Sequence, residues 1–402
     1  YTNNPSTSKE MPLTKAKQNL EFLTTQHLNL LKMGIDINTL KRRELFNNYW
    51  KFLWLISCTI YLEYALINFV AHSLSDIDEA TGALSIFNQG CLILIKVSMF
   101  LAKGDRFLKL IWDMNLLAEK ANPEEHKKWL EENRRSQLIG KMYFYACCVA
   151  VACASVVPLL FMAYDYQQNS GFNKKLPFGG KFPFDKGGVT AFAINYMLSL
   201  IYIYSLLNMT VGIDTLYGWY IYSISAHFRI LRCKLESTAR KLQNNDCSDF
   251  TRDIGLIVNY HNATLQFVEG LNTNFGEILW AEVMLSCLQM CFVAYTLNND
   301  TDVSNMPFNV MVLVAVMMQM IIYCFGGEKI KNESLMLSSE FYLNFPWHKM
   351  SAQQKKLMLL PLLRSQKLSV LRGLFFEVDR NLLVYILKTS FSFNALLSAM
   401  KE

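Results

Sequence analysis

The last apolar run of the chain carries residues whose chemistry is unusual for its surroundings. It covers residues 382–400, long enough for a helix to cross a hydrocarbon layer of about 30 Å. Several of its side chains are polar: Lys388, Thr389, Ser390, Ser392, Asn394 and Ser398. Polar groups at membrane depth are costly unless they face protein or water, so this run is a candidate pore lining. Alternatively, its hydroxyls bond to carbonyls of their own helix, as serine and threonine commonly do.

The elements that must position this run are themselves apolar. The chain has 402 residues, of which 52% are hydrophobic and 18% charged, whereas a soluble domain has about 25% charged residues. This composition indicates a membrane protein. Further apolar runs have the length of a membrane-spanning helix, at residues 50–70, 84–101, 142–163, 189–211, 278–297 and 306–325. With the terminal run, they predict an all-α protein with seven transmembrane helices.

The distribution of Lys and Arg predicts the orientation of these helices. Basic residues are concentrated before span one and between spans two and three, four and five, and six and seven. The loops at 71–83 and 298–305 contain none, and only the loop at 164–188 is mixed. Because cytoplasmic loops carry the excess of positive charge, we expect a cytoplasmic N-terminus and an extracellular C-terminus. This orientation is the reverse of that of a G-protein-coupled receptor.

Helical periodicity continues beyond the spans. Two sets of residues recur every three or four positions: Ile224, Phe228, Leu231 and Leu235, and Phe250, Ile254, Ile257 and His261. Such spacing places these side chains on one face of a helix, so the spans are expected to extend into the cytoplasm as amphipathic helices. The predicted segments are a cytoplasmic N-terminal segment (1–49), helices one to four (50–222), a cytoplasmic helical segment (223–277), helices five and six (278–325), a cytoplasmic anchor helix and loop (326–381), and helix seven (382–402).

Two charges lie inside predicted spans, Glu63 in the first and Lys96 in the second. An unpaired charge at that depth is improbable, so we expect each to be paired or hydrogen-bonded inside the bundle. Either these charges take part in ion conduction or in coupling movement between helices, or they form a static contact that holds helices together.

The order of residues near the C-terminus resembles that of insect odorant receptors. The resemblance is carried by Glu-Ser at 333–334, Tyr342, Trp347, Leu-Arg-Ser-Gln-Lys at 363–367, Phe-Phe-Glu-Val at 375–378 and Ile-Leu-Lys-Thr-Ser-Phe-Ser-Phe at 386–393. The loop at 175–185 is similar to the proline- and aromatic-rich loop that covers the ligand site in that family. The chain lacks the long cytoplasmic insertion between spans four and five that marks the co-receptor, so it resembles the ligand-specific subunit.

This resemblance implies an odorant-gated, non-selective cation channel subunit that assembles with a co-receptor into a heterotetramer. The expected location is the plasma membrane of olfactory sensory neuron dendrites, with Tyr342 and Trp347 at the subunit interface. A volatile apolar ligand would bind in the outer half of spans two, three, four and six, among Phe87, Cys91, Val157, Phe161, Tyr196, Leu200, Tyr204, Met311, Val314 and Met318. Ordinary packing is the alternative explanation for each of these residues.

The terminal helix presents two stripes at 100° per residue. Ser390, Asn394 and Ser398 lie on a polar stripe, whereas Ser392, Leu396 and Met400 lie on a nearly opposite one. Polarity favours the first stripe for the lumen. The resemblance, however, aligns Leu396 and Met400 with the apolar residues that close the pore, and an apolar ring can close a pore by dewetting. We therefore predict that Ser392, Leu396 and Met400 line the pore and that Asn394 bonds to a neighbouring helix.

The sequence predicts neither an enzyme nor a nucleic-acid-binding protein. It has no His-Glu-x-x-His spacing, no Cys/His cluster for a metal, no phosphate-binding glycine loop and no Gly-x-Ser-x-Gly turn, so no cofactor is expected. The net charge of +6 lies on cytoplasmic loops, as lipid headgroups require. The alternatives are a gustatory-type ligand-gated channel, or a seven-helix receptor or transporter without a pore, although no transporter-like internal repeat is present.

Overall fold

The computed structural model describes residues 23–37, 46, 48–73, 77–168, 176–178, 188–244, 249–299 and 306–399, and its elements are helices. Within these residues the helices are α1 (Thr24–Lys32), α2 (Tyr49–His72), α3 (Ile77–Ala102), α4 (Gly104–Glu119), α5 (Pro123–Gln167), α6 (Val189–Gln243), α7 (Phe250–Asn299), α8 (Met306–Leu343), α9 (Ala352–Gln366) and α10 (Arg380–Ala399).

Six of these helices are long and apolar enough to cross a membrane: α2, α3, α5, α6, α7 and α8. Each of the first six predicted spans falls inside one of them. The terminal helix α10, which includes side chains outside the described ones at residues 397 and 398, is not among the six. The all-α membrane fold is therefore confirmed, whereas the seventh crossing and the orientation of the termini stay predictions.

Capping residues determine where two of the long helices begin. The side chain of Asn48 accepts a hydrogen bond from the Lys51 amide at 3.0 Å at the start of α2. Helix α5 begins at Pro123, and a reciprocal capping box joins Asn122 with Glu125. These side chains satisfy first-turn N–H groups that have no partner within the helix. Helix α5 therefore begins well before the predicted span at 142–163.

The long helices continue beyond the predicted spans as the periodicity indicates. Helix α6 runs on to Gln243 and α7 begins at Phe250. The residues predicted to form the apolar faces of these extensions are buried: Ile224, Phe228, Leu231, Leu235, Phe250, Ile254, Ile257 and His261. The extensions thus pack on one another and on the rest of the bundle.

Exposed aromatic side chains lie near opposite ends of two helices. Tyr49, Trp50 and Trp54 are exposed at the start of α2, and Tyr164 and Tyr166 are exposed at the end of α5. Trp and Tyr are enriched at the two membrane–water interfaces. The start of α2 and the end of α5 are accordingly each expected at a membrane–water interface, and the predicted topology assigns them to opposite faces of the bilayer.

The start of α10 is tied to α8 through Asp379. Its Oδ1 accepts a hydrogen bond from the Leu382 amide at 3.0 Å, and Lys331 Nζ lies 3.3 Å from its Oδ2. Burial acts to raise the pKa of the Asp379 carboxyl, but the hydrogen bonds from the Leu382 amide and Lys331 outweigh it and lower this pKa below its usual value. Asp379 is therefore an anion at neutral pH, which the N-terminus of a helix favours.

The linker before α10 passes directly against α8. The Val378 amide donates to the Leu371 carbonyl at 2.9 Å in a short antiparallel turn. A Cβ added to Gly327 of α8 would lie 1.8 Å from the Val378 carbonyl oxygen. Glycine at this position lets the two backbones approach each other.

Candidate functional site

An apolar cavity of about 120 Å³ lies inside the bundle, and it has a predominantly apolar lining. Helices α3, α5, α6 and α8 form most of its wall, and Gln289 of α7 and Phe178 of the α5–α6 loop complete it. The remaining lining residues are Ser85, Ile86, Gln89, Tyr143, Cys147, Ala150, Val151, Ala154, Ile203, Leu206, Leu207, Thr210, Phe308, Val312, Ala315, Val316 and Gln319. An apolar space with a few polar groups is the usual form of a site for a small organic ligand.

Phe178 is the part of the cavity wall that comes from the α5–α6 loop. It is buried, and its ring centroid lies 5.6 Å from that of Tyr202 of α6. The described part of the loop is residues 176–178, and the rest of the predicted ligand-covering loop lies outside the described residues.

None of the ten ligand residues predicted from the sequence lines this cavity, although all ten are described and lie on its four main helices. Phe87 immediately follows Ile86, and Val314 immediately precedes Ala315. Tyr204 and Val314 are exposed on the outside of the bundle. Tyr196 is buried and donates to the Ser155 carbonyl at 2.6 Å, so in this structure it ties α6 to α5.

One end of the cavity rests on a buried ion cluster. Tyr143 and Gln319 line the cavity, and both donate to Asp214 Oδ2, at 3.0 and 2.7 Å. Lys96 Nζ lies 2.6 Å from Asp214 Oδ1 and 2.5 Å from Glu282 Oε2, and none of these three charged side chains has exposed surface. The cluster therefore connects the cavity to α3, α6 and α7 at once.

Both charges predicted inside the bundle have partners, but they do not pair with each other. Lys96 binds the two carboxylates of the ion cluster. Glu63 is buried and accepts a hydrogen bond from the Tyr202 hydroxyl. The expectation that each charge is paired or hydrogen-bonded is confirmed, although the sequence did not identify Asp214 or Glu282 as partners.

Helix α10 packs its polar stripe against α7. Ser390 is buried, and its hydroxyl lies 3.3 Å from the Cys287 carbonyl oxygen. Asn394 is buried as well, whereas Ser392 and Leu396 are exposed. Met400, the third predicted pore residue, lies outside the described residues. The described part of α10 thus directs Ser392 and Leu396 away from its own subunit.

The predicted interface residues lie at the end of α8 and in the linker that follows it. Tyr342 is 62% exposed, and the Trp347 indole N–H donates to the Tyr342 carbonyl at 2.7 Å. Helix α9 exposes a nearby run of apolar side chains, Leu359, Leu360 and Leu363, which we call the α9 surface. Exposed apolar groups of this kind often mark protein–protein contacts.

Comparison with known proteins identifies the family. A family model described as 7tm Odorant receptor matches residues 76–391. The chain belongs to the odorant receptor family. This receptor is 25% identical over 383 residues to Odorant receptor 45a of Drosophila melanogaster, covering 95% of this chain and 99% of that protein. It is 24% identical over 346 residues to Odorant receptor 82a of the same insect, covering 84% and 89%.

The receptor also shares its fold with a solved odorant receptor. The structure of the insect olfactory receptor OR5 from Machilis hrabei in complex with eugenol matches with a TM-score of 0.78, covering 96% of this chain and 98% of that one. The sequence identity is 14%, so this likeness establishes the fold alone. Family membership makes the chain a ligand-binding membrane receptor of the insect olfactory system, a class of receptors rather than enzymes.

Proposed function

We propose that this receptor is the ligand-specific subunit of an odorant-gated, non-selective cation channel in the plasma membrane of olfactory neuron dendrites. The observation that carries the proposal is this cavity, because α7, which contributes Gln289 to its wall, packs directly against α10. A ligand in this cavity contacts the same bundle that holds the candidate pore helix. In this proposal, residues 1–49, 223–277 and 326–381 are cytoplasmic.

The cavity volume limits the ligand. A dry apolar cavity of about 150 Å³ accommodates benzene in a well-studied engineered protein, and the receptor cavity measures about 120 Å³. A compact volatile molecule therefore fits with small side-chain movements, whereas a larger one requires the helices to separate. The ten residues predicted from the sequence lie on the four main helices of this cavity, but none of them is part of its lining.

The pore is assigned to α10 helices from several subunits around one axis. Ser392 and Leu396 face away from their own subunit, and with Met400 they form the proposed gate, which closes by dewetting. Lys388 is also exposed on α10, and a cation disfavours the passage of other cations. Assembly with a co-receptor dilutes this charge, which supports a heteromeric channel over a homomeric one.

The α9 surface and the Tyr342–Trp347 region are the proposed sites of subunit assembly. Leu360 is 75% exposed and Phe375, in the following linker, is 85% exposed. Both lie in the segment predicted to be cytoplasmic, where lipid does not cover them. Burial against a neighbouring subunit removes this apolar area from water.

The test is to record odorant-evoked currents with and without the co-receptor, using a panel of volatile esters, terpenoids and aromatics. Ala150→Phe places a ring in the cavity, and we expect it to reduce sensitivity about tenfold or more, as a loss of about 1.4 kcal/mol of binding produces. Val149→Phe is the matched control, because Val149 is the adjacent residue of α5 and faces outward. It should respond as the wild type does.

Two results would contradict the proposal. One is an odorant-gated current from this chain expressed alone. The other is equal behaviour of Ala150→Phe and Val149→Phe at matched surface expression.

A further inference from the structure

Some polar atoms around the cavity already have a hydrogen-bond partner, and others do not. The Tyr143 hydroxyl and Gln319 Nε2, two donors at one end, are held by Asp214 at 3.0 and 2.7 Å. In contrast, Gln89 Oε1 and Gln289 Oε1 are buried and have no hydrogen-bond partner among the residues that the structure describes. Leaving a buried acceptor unpaired is unfavourable. The cavity therefore offers two unpaired acceptors to a ligand that donates a hydrogen bond.

Gln289 is the one of these two residues that belongs to α7. It is 3% exposed and lines the cavity. Gln89 is held from the other side, because its Nε2 donates to Thr210 Oγ1 at 3.3 Å. Gln289 has no such bond in the described part of the chain, so its amide is the freer of the two to bind a ligand.

The opposite face of α7 contacts the candidate pore helix. Cys287 Sγ lies 3.4 Å from Ser390 Oγ, and Cys291 Sγ lies 3.5 Å from the Ser390 carbonyl oxygen. Each cysteine is two residues from Gln289, which is about 200° around a helix. The same turn of α7 thus faces the cavity on one side and α10 on the other.

We propose that Gln289 is the polar anchor of the odorant. Its amide oxygen accepts a hydrogen bond from the hydroxyl of a small apolar alcohol or phenol, and this bond shifts α7 against Ser390. The inference rests on the proposed function and adds to it a ligand class and the residue that recognises it. A site built to pair with a hydroxyl rejects an analogue that lacks one, because its acceptor is then left unpaired.

The first experiment compares hydroxyl compounds with analogues that lack the O–H group, on the wild-type receptor with its co-receptor. The pairs are cyclohexanol with cyclohexanone, 2-heptanol with 2-heptanone, and 4-methylphenol with 4-methylanisole. An amide can present its oxygen or its NH2 group, so the ketones and the ether distinguish acceptance from donation. We expect the hydroxyl compound of each active pair to be at least about tenfold more potent.

The second experiment replaces Gln289 by leucine, which has a similar size and no hydrogen-bonding group. Gln289→Leu should abolish the preference for the hydroxyl compound while keeping the response to the ketone or ether. Met284→Leu is the control, since Met284 lies on the exposed side of α7, and it should keep the preference. A change in this ratio of potencies distinguishes recognition from a structural role, which would reduce all responses alike.

The inference is overturned by equal or greater potency of the ketones and the ether, by silence to all three hydroxyl compounds, or by a uniform loss in Gln289→Leu. If Gln289→Leu does not reach the surface, the wild-type ligand pairs decide. The Ala150→Phe result is independent of these outcomes. If Ala150→Phe lowers odorant sensitivity but the wild-type receptor shows no preference for hydroxyl compounds, the proposed function still holds and Gln289 is not the anchor.

Discussion

Lys96 is the residue whose loss should disturb the bundle most. Removing it leaves Asp214 and Glu282 buried without their cation, and breaking a buried pair in this way costs about 3–5 kcal/mol. We expect Lys96→Met to lower the thermal unfolding temperature of the detergent-solubilised receptor and to reduce surface expression. Lys141→Met, at an exposed position of α5, should change neither. Equal unfolding temperatures for the two variants would show that the cluster contributes little to stability.

The sequence predicted that the buried charges have partners, but the hydropathy pattern did not identify these partners. Asp214 lies just beyond the apolar run that ends at residue 211, so hydropathy does not indicate that it is a buried charge. Helix α6 continues through this point without a break and directs Asp214 inward. Glu282 lies inside the run at 278–297, and its acidic side chain was an available signal for a partner of Lys96.

The cavity residues could not be chosen from the sequence for a different reason. In a soluble helix, the contrast between apolar and polar faces shows which side is buried. A span surrounded by lipid is apolar on all sides, so Ile86 and its neighbour Phe87 cannot be distinguished by composition. Gln289 was the informative exception, because an amide in an apolar run must meet protein, water or ligand.

At the scale of helices, Gly327 is expected to be essential for placing α10. Gly327→Ala would put a Cβ 1.8 Å from the Val378 carbonyl oxygen, so the linker or α8 must move, and overpacking of this kind costs about 1–3 kcal/mol. We predict less folded receptor by fluorescence-detected size-exclusion chromatography and smaller odorant-evoked currents. Gly255→Ala is the control, since a Cβ there has no neighbour within 4 Å. A Gly327→Ala receptor as stable as the Gly255→Ala receptor would argue against this close approach.

Helix length was predictable where hydropathy or periodicity determined it, and not elsewhere. The six apolar runs each lie within an observed helix, and the two periodic sets predicted the extensions of α6 and α7. Helix α4 lies in a segment that the sequence marked only as basic, and α9 lies in the segment predicted as an anchor helix and loop, where basic residues did not indicate a second helix. Positive charge indicates the side of the membrane on which a segment lies, but it does not distinguish a helix from a loop.

At the scale of the whole molecule, the α9 surface provides a test of the proposed assembly. Leu360→Glu places a charge on an exposed apolar position, and we expect it to weaken association with the co-receptor, because a buried unpaired charge is costly. Co-purification of the two subunits measures the effect. Lys356→Glu adds the same side chain at an exposed polar position of α9 and should leave assembly intact. Unchanged co-purification of Leu360→Glu would remove α9 from the interface.

The continuity of α6 also has a mechanical consequence. With 55 residues it is about 80 Å long, against a hydrocarbon layer of about 30 Å. A stiff rod of this length acts as a lever, so a tilt of a few degrees displaces its far end by several ångströms. If subunit assembly holds the inner end fixed, such a tilt moves the outer part of α6, which lines the proposed odorant cavity. Subunit contacts on the cytoplasmic side and the shape of this cavity are then mechanically coupled through one helix.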